Sequence, residues 1–501
     1  MRIGVVLALA PFFGCASRPA VQRVSGTTEG PAAAFVDVTV VPMDGEQVLP
    51  HQTVVVRDTR IAEIGPTARL HVPPGARRID GHGKYLMPGL ADMHSHPESV
   101  LDLMVYVANG VTTVRTMGSP PDLRHWRSEA AANRLLSPAI YTAGPVLDGP
   151  SELYQAGSSV ATAAAAAQAV REQHTAGYDF IKVYNNLSKE AYEAIIAEAR
   201  RLGMPVAGHV PIFVGLRGAL AARQASIEHL RGYATELVRA DAPVPPGDDL
   251  RSRTLAWNYA DESRFLRLAE ATRTAGVWNC PTLVWSQTQM LPPDAYARWL
   301  ARPEMRQAPP ELRADNRSQL PYMKNFTNAD YLAAQQGVPV QQRFVKALRD
   351  AGARLLLGTD LGAFAVSEEL SLLAEAGLSP YEALRAGTRD AAEFLGQLDE
   401  WGTVAAGRRA DLVLLDANPL ADVTNASRRA GVMLRGRWLP NAEIAKLLDE
   451  VAAGVSRKSH DVASRKRNGP PNNEADKRRG ARSGGACSLS VCWAVEEAVH
   501  R

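Results

Sequence analysis

The sequence predicts an α/β protein, a (β/α)8 TIM barrel joined to a small β-sandwich-like domain built from both chain ends. Three observations predict it. Between residues 86 and 400, short apolar runs alternate with helix-like stretches, the rhythm of a parallel sheet. Eight such runs occur, the strand number of a closed barrel. On both sides of that segment lie β-branched runs separated by turn residues, too short to bury a core alone.

Taken in order, Arg2 and the apolar stretch 3–13 read as an export signal within residues 1–17. The stretch ends in Gly14-Cys15, the pattern of a bacterial lipoprotein, in which Cys15 would be lipidated and anchor the mature chain to a membrane. The expected location is therefore periplasmic, free or membrane-anchored. Residues 18–33, rich in Gly, Ser, Thr, Pro and Ala, read as a tether. Runs 35–41, 52–57 and 60–65 form the N-terminal part of the small β domain, assigned to 34–85.

The eight barrel strands are expected at 87–94, 111–116, 139–143, 180–184, 205–209, 226–230, 277–284 and 354–358. Helix-like stretches at 161–175, 189–202, 214–224, 261–275 and 340–351 separate most of them, and three more follow at 368–376, 380–387 and 389–396. Two links exceed what a barrel needs. The first, near 240–260, is rich in Pro, Gly and Asp. The second, 287–338, holds Trp299, Tyr322, Phe326 and Tyr331. Long links after barrel strands lie over the C-terminal mouth, so both are expected to form a lid or substrate wall. Runs 411–415 and 432–438 complete the small β domain, and 443–455 closes the fold as a helix, within a segment 401–455. Residues 456–501 read as a disordered basic tail.

Charge supports this division. The tail carries 10 Lys/Arg against 5 Asp/Glu, leaving 46 against 48 in the body, whose near-neutral balance implies no nucleic-acid partner. Of four cysteines only Cys280 lies in the body, so no disulfide framework is expected. Oligomeric state is not readable from the chain.

Barrel active sites lie where the strands end. Four of the 11 histidines, His94, His96, His209 and His229, fall on expected strand ends, and Asp360 follows the eighth run. His94 and His96, two residues apart on a strand, would point to one side, a metal-ligand spacing. Lys182 lies inside an apolar run, where a charged amine is costly unless paired or neutralised. It could snorkel to the rim, or its amine could add CO2 and give a carbamate able to bridge two divalent ions. Tyr184 and Arg115 also fall at strand ends and could hold a substrate carbonyl or carboxylate, although core or rim packing fits each of them better.

These residues sit in motifs that resemble the amidohydrolase superfamily: Met87-Pro-Gly-Leu-Ala-Asp-Met-His-Ser-His96, Asp179-Phe-Ile-Lys-Val-Tyr184, Ala225-Ser-Ile-Glu-His229 and Leu357-Gly-Thr-Asp360. The resemblance runs from about Phe35 to Val455 and is strongest to the branch of imidazolonepropionase-like proteins and metal-dependent Xaa-Pro or Xaa-Arg dipeptidases. It implies two divalent ions, zinc by preference. His94, His96 and Asp360 would hold one, His209 and His229 the other, with N6-carboxylated Lys182 as the bridge. A metal-bridging hydroxide would then cleave a C–N bond of a small amide, dipeptide or cyclic amide, with Asp360 as proton shuttle. Lactone or ester hydrolysis on the same site, and a non-catalytic binding barrel, are the alternatives.

Overall fold

The computed structural model describes residues 22–23 and 32–453, except 119, 121, 152–156, 244–249, 320–322 and 324–325. The leader with Cys15, most of the tether, Tyr322 and the basic tail lie outside the described residues.

A nine-stranded mixed sheet takes strands from both sides of the barrel segment. Its order is Gln22–Arg23, Arg60–Pro66, Leu49–Arg57, Ala32–Val40, Tyr85–Pro88, Leu412–Leu415, Arg429–Leu434 and Arg437–Pro440, with Arg77–Asp80 also paired to Ala32–Val40. The join between the two chain ends is antiparallel, with Leu412 opposite Pro88 and Leu415 opposite Tyr85. Alternation along Leu49–Arg57 sends Val54 and Val56 to one face, against Phe35, Leu414 and Trp438, and Val55 to the other, against Ala34 and Leu70. Phe35 and Trp438 meet edge to face at 5.3 Å.

The expected first barrel strand divides at Gly89. Tyr85–Pro88 belongs to the mixed sheet and Leu90–Ser95 to the barrel. Leu90–Ser95, Val111–Thr116 and Ala139–Thr142 pair in parallel. A second parallel sheet runs Ser158–Ser159, Leu147–Asp148, Ile181–Val183, Val206–Gly208, Ser226–Glu228 and Trp278–Cys280. The two assigned sheets do not form one closed ring. A parallel bridge between Ala143 and Phe180 spans one gap.

The other gap holds residues 354–358, where a regular strand was expected. One bridge, Leu355 to Asn279, joins this segment to the last sheet strand. The Met93 N–H donates to the Leu357 carbonyl (2.8 Å), tying it back to the first strand. Its hydrogen bonds are thus spread over two neighbours without a continuous ladder. Strand–helix alternation in this arrangement is the α/β architecture of a TIM-type barrel.

Helices flank the strands close to their expected places, among them Ala163–Thr175, Lys189–Leu202, Phe265–Ala275 and Val366–Glu375. Ser188 caps Lys189–Leu202 through the Ala191 N–H, and Gly203 ends it in the left-handed conformation. One expectation is corrected. The run 277–284 is strand only over Trp278–Cys280, and Leu283–Gln289 is helix. Glu369 accepts from the Leu283 and Val284 N–H groups (3.0 and 2.6 Å), which holds that helical start in place. The long link 287–338 is largely helical, with Pro293–Leu300, three 3-10 turns and the beginning of Asn328–Asp350. It has a core of its own, in which Tyr296, Trp299 and Met305 pack with Phe364, just beyond Asp360. None of the described helices is long and apolar enough to cross a membrane.

Candidate metal centre

Strand Leu90–Ser95 brings His94 to its end, with His96 just past it. Both Nε2 atoms turn to one carboxylate: Asp360 Oδ1 lies 3.5 Å from His94 and 3.2 Å from His96. Asp360 Oδ2 lies 3.8 Å from His229 Nε2. His209, past strand Val206–Gly208, places its ring 5.0 Å from that of His229. Four histidines and Asp360, distant in sequence, therefore form one cluster.

Two members have left-handed backbones, His229 at φ 58° and Asp360 at φ 55°. Such geometry is uncommon away from glycine and costs about 1–3 kcal/mol where it persists. Hydrogen bonds hold both in place: His229 N–H to the Cys280 carbonyl (2.9 Å) and Asp360 N–H to the His94 carbonyl (2.8 Å).

The outward ring nitrogens show which way the imidazoles work. His209 Nδ1 lies 2.8 Å from Asn185 Oδ1, an oxygen that can only accept. His229 Nδ1 lies 2.6 Å from Thr282 Oγ1, whose own hydrogen goes to the Pro281 carbonyl, so this Nδ1 also donates. His94 Nδ1 lies 2.8 Å from Glu228 Oε2. Burial, reinforced by neighbouring positive charge, holds the pKa values of His94, His209 and His229 well below the ordinary histidine value. Each is therefore a neutral ring with Nδ1–H turned outward and the Nε2 lone pair free, the form that binds a metal. His96 Nδ1, though buried, has no hydrogen-bond partner among the described residues.

Glu228 is fully buried and has three donor groups around it. Besides His94 it accepts from Arg115 Nη2 (2.9 and 3.1 Å to its two oxygens) and from Ser226 Oγ (2.5 Å). Arg115 spends its remaining donors on the Met93 carbonyl and Ser226 Oγ. The guanidinium of Arg115 lies beneath the histidines, fully buried, with its donors turned to protein, which agrees with the packing reading and not with the substrate contact. Cys280 also approaches His94 and Glu228. Burial pushes its thiol well up, so it stays protonated, and Glu228 is already saturated by donors; this second grouping is a structural knot and not a metal nest.

Lys182 sits at the centre of Ile181–Val183 and is 1% exposed. Burial lowers its pKa to about 8, against the upward pull of Glu228 and Asp360. Its neighbour strand comes close because residue 208 is glycine. At φ 133°, a Cβ there would stand 2.3 Å from the Val183 carbonyl and 3.0 Å from Lys182 Cδ. Tyr184 reaches the cluster, stacking on His209 at 4.1 Å.

Sequence reasoning missed the outer partners. Glu228 and Asp92 are carboxylates in buried strands, so the cost argument that singled out Lys182 applied to them too. Asp92 accepts from the backbone of His94 and from Thr359 (N–H 3.0 Å, Oγ1 2.6 Å), stitching the first strand to the Asp360 loop. Asn185 and Thr282 carried no sequence signal, because their task depends on how separate strands meet.

A cleft opens beside His229. Leu230, Arg231, Trp257, Trp285, Met290 and Arg253 are among its walls. Trp285 lies 5.4 Å from the His229 ring, so the helical link after strand Trp278–Cys280 forms part of the wall.

The donor set fits divalent metal ions. His94, His229 and Asp360 offer ligand atoms all within 4.8 Å of one another. Neutral imidazole nitrogens and a carboxylate oxygen are what zinc and its neighbours take.

Similarity to known proteins agrees with the geometry. An imidazolonepropionase of Rubrobacter xylanophilus is 27% identical over 405 residues, covering 73% of this chain and 84% of its own. A solved bottromycin amidohydrolase is 28% identical, with a TM-score of 0.66 over 85% of this chain and 90% of its own. An Xaa-Pro dipeptidase structure shares the fold at 19% identity, with a TM-score of 0.60 over 82% of this chain and all of its own. The amidohydrolase family model matches residues 85–439, which hold every member of the cluster, and the chain belongs to the amidohydrolase family.

Proposed function

We propose that this chain is a two-metal hydrolase of C–N bonds acting on a small amide or dipeptide-like substrate. The observation that carries the reading is the convergence of three histidine Nε2 atoms on one carboxylate, at 3.2 to 3.8 Å. His94, His96 and Asp360 would hold one ion, His209 and His229 the other, and carboxylated Lys182 would join them. Zinc is the ion this donor set favours. When bound, the ions supply an acidified water and polarise the substrate carbonyl.

The residues do the rest. Asp360 faces the cluster and is placed to take the proton of the attacking water. It returns that proton to the leaving nitrogen as the C–O bond forms and the C–N bond breaks. Its left-handed backbone, pinned by the His94 carbonyl, fixes the carboxylate in a single pose. Tyr184, stacked on His209, stands where a substrate carbonyl could be oriented. Asn185, Thr282 and Glu228 fix the ring tautomers so that no proton competes for the Nε2 positions.

Hydrolysis of a cyclic amide is the second reading, favoured by the similarity to an imidazolonepropionase along most of both chains. Metal analysis after supplying zinc and bicarbonate should find about two ions per chain. A panel of dipeptides, N-acyl amino acids, lactams and lactones then ranks the substrates by kcat/KM. Asp360→Asn should abolish turnover and leave the fold intact; near-normal activity would refute the proton-shuttle role, and a metal-free protein would refute the enzyme. Export and lipidation at Cys15 rest on the leader sequence and belong to the same proposal.

A further inference from the structure

Glu369 is a buried carboxyl that the mechanism leaves unused. It lies in helix Val366–Glu375, just after the Asp360 loop, and is shut off from solvent. Its two oxygens accept one bond each, Oε1 from the Leu283 N–H (3.0 Å) and Oε2 from the Val284 N–H (2.6 Å). Both N–H groups open helix Leu283–Gln289, where a helix offers them no acceptor of its own. The residue before them, Thr282, is left-handed at φ 48° and ψ 51°, a rare conformation for a β-branched side chain. Such a backbone persists only where its surroundings hold it, and Glu369 grips the two residues that follow.

That conformation serves His229. Thr282 Oγ1 gives its hydrogen to the Pro281 carbonyl (2.8 Å), so a lone pair faces His229 Nδ1 at 2.6 Å. The same corner receives the His229 N–H on the Cys280 carbonyl (2.9 Å) and sets Trp285 5.4 Å from the ring. We propose that Glu369 is a positioning residue for His229. By holding residues 282–284 in this turn, it keeps the Thr282 hydroxyl against Nδ1 and leaves the Nε2 lone pair turned toward Asp360. Glu369 acts through Thr282, and the purpose of the arrangement rests on the two-metal reading.

The test uses full-length protein and two readouts. The first is imidazole nitrogen NMR of metal-free protein, with the His229 signal assigned by its loss in His229→Gln. The parent should show His229 as the Nδ1–H tautomer, its ring N–H protected from solvent exchange. Glu369→Gln leaves one acceptor and turns an NH2 toward the second N–H, so that protection should be lost. The second readout is zinc affinity by competition with a chromophoric chelator. Burial pushes the Glu369 carboxyl up to about 8, so affinity is compared above that pH, where it is ionised. Loss of an outer partner lowers metal affinity by about 10- to 100-fold; Thr282→Val should fall in that range, Thr282→Ser should stay near the parent, and Glu369→Gln should lose about tenfold. Because Glu369 works through Thr282, the double variant Glu369→Gln, Thr282→Val should bind zinc no more weakly than Thr282→Val alone. Glu369→Asp, whose shorter arm cannot reach both N–H groups, should shift affinity the same way and serves if the amide prevents folding. Glu368→Gln is the control. Glu368 holds Arg302 and Trp299 of the long link, so its loss should lower stability and leave zinc affinity unchanged. Additive losses in the double variant would overturn the proposal. So would a less stable Glu369→Gln protein that keeps its zinc affinity and its protected His229 N–H, since Glu369 would then be a structural cap. A parent that binds no zinc, yet loses the protected N–H in Glu369→Gln, would sink the two-metal reading and leave the positioning role standing.

Discussion

Glu228→Gln isolates what the buried carboxylate beneath the histidines does. The substitution keeps the shape and one carbonyl oxygen but removes the negative charge. Arg115, fully buried, then loses its counter-ion, having only Ser226 and the Met93 carbonyl left. Breaking one side of a buried ion pair costs about 3–5 kcal/mol, and the retained amide oxygen should hold the loss near the low end. His94 is affected separately. Its Nδ1–H, now 2.8 Å from a carboxylate, would face a neutral amide free to rotate its NH2 toward the ring. Loss of such an outer partner lowers metal affinity by about 10- to 100-fold.

Stability is read by urea unfolding of metal-free protein, and affinity by competition with a chromophoric zinc chelator. Arg115→Met completes a double-mutant cycle. Removing both charges should cost at least about 1 kcal/mol less than the two single changes summed, since neither leaves the other stranded. Zinc affinity within twofold of the parent in Glu228→Gln, together with additive stabilities, would refute the claim that this carboxylate orients His94.

Other expectations follow from the same geometry. The Lys182 amine must be neutral to react with CO2, and burial brings its pKa from 10.5 to about 8. Bicarbonate-dependent zinc uptake by metal-free protein should therefore rise with pH up to about 8 and level off above it; a rise continuing past pH 10 would show an unperturbed lysine. Gly208→Ala places a methyl 2.3 Å from the Val183 carbonyl and should cost about 1–3 kcal/mol while lowering bound metal, measured by melting and metal analysis. If Cys15 is lipidated, Cys15→Ala should move the protein from the membrane fraction to the soluble fraction of a bacterial host, read by immunoblot.

The histidine and aspartate cluster could be read in the sequence because its members mark strand ends. His94 and His96 announce themselves by spacing, and Lys182 by the cost of an amine in an apolar strand. Asp360 follows a Gly-Thr pair that ends the eighth run. Arg115 kept two readings because a strand-end position does not say whether a side chain points to the mouth or below the histidines. The helix expected over 340–351 begins earlier for a different reason. Asn328–Asp350 runs through both Gly337 and Pro339. A capping box at Thr327 and Asp330 starts the helix firmly, and residue 337 must be small, since a Cβ there would lie 3.0 Å from Trp257 Cβ. Tertiary packing overrode local preference, and the sequence window held no sign of Trp257.

The mixed sheet has a consequence for how the protein is made. Tyr85–Pro88 passes through Gly89 directly into the strand that carries His94, and its sheet neighbour Leu412–Leu415 is synthesised more than 300 residues later. A growing chain therefore displays the root of the strand that carries His94 as an open edge until the ribosome has nearly finished. The sheet beneath the histidine cluster is completed only as the chain is. A prematurely terminated product would lack Leu412–Leu415, the partner of that root, and would meet the cell's proteases with the edge still open.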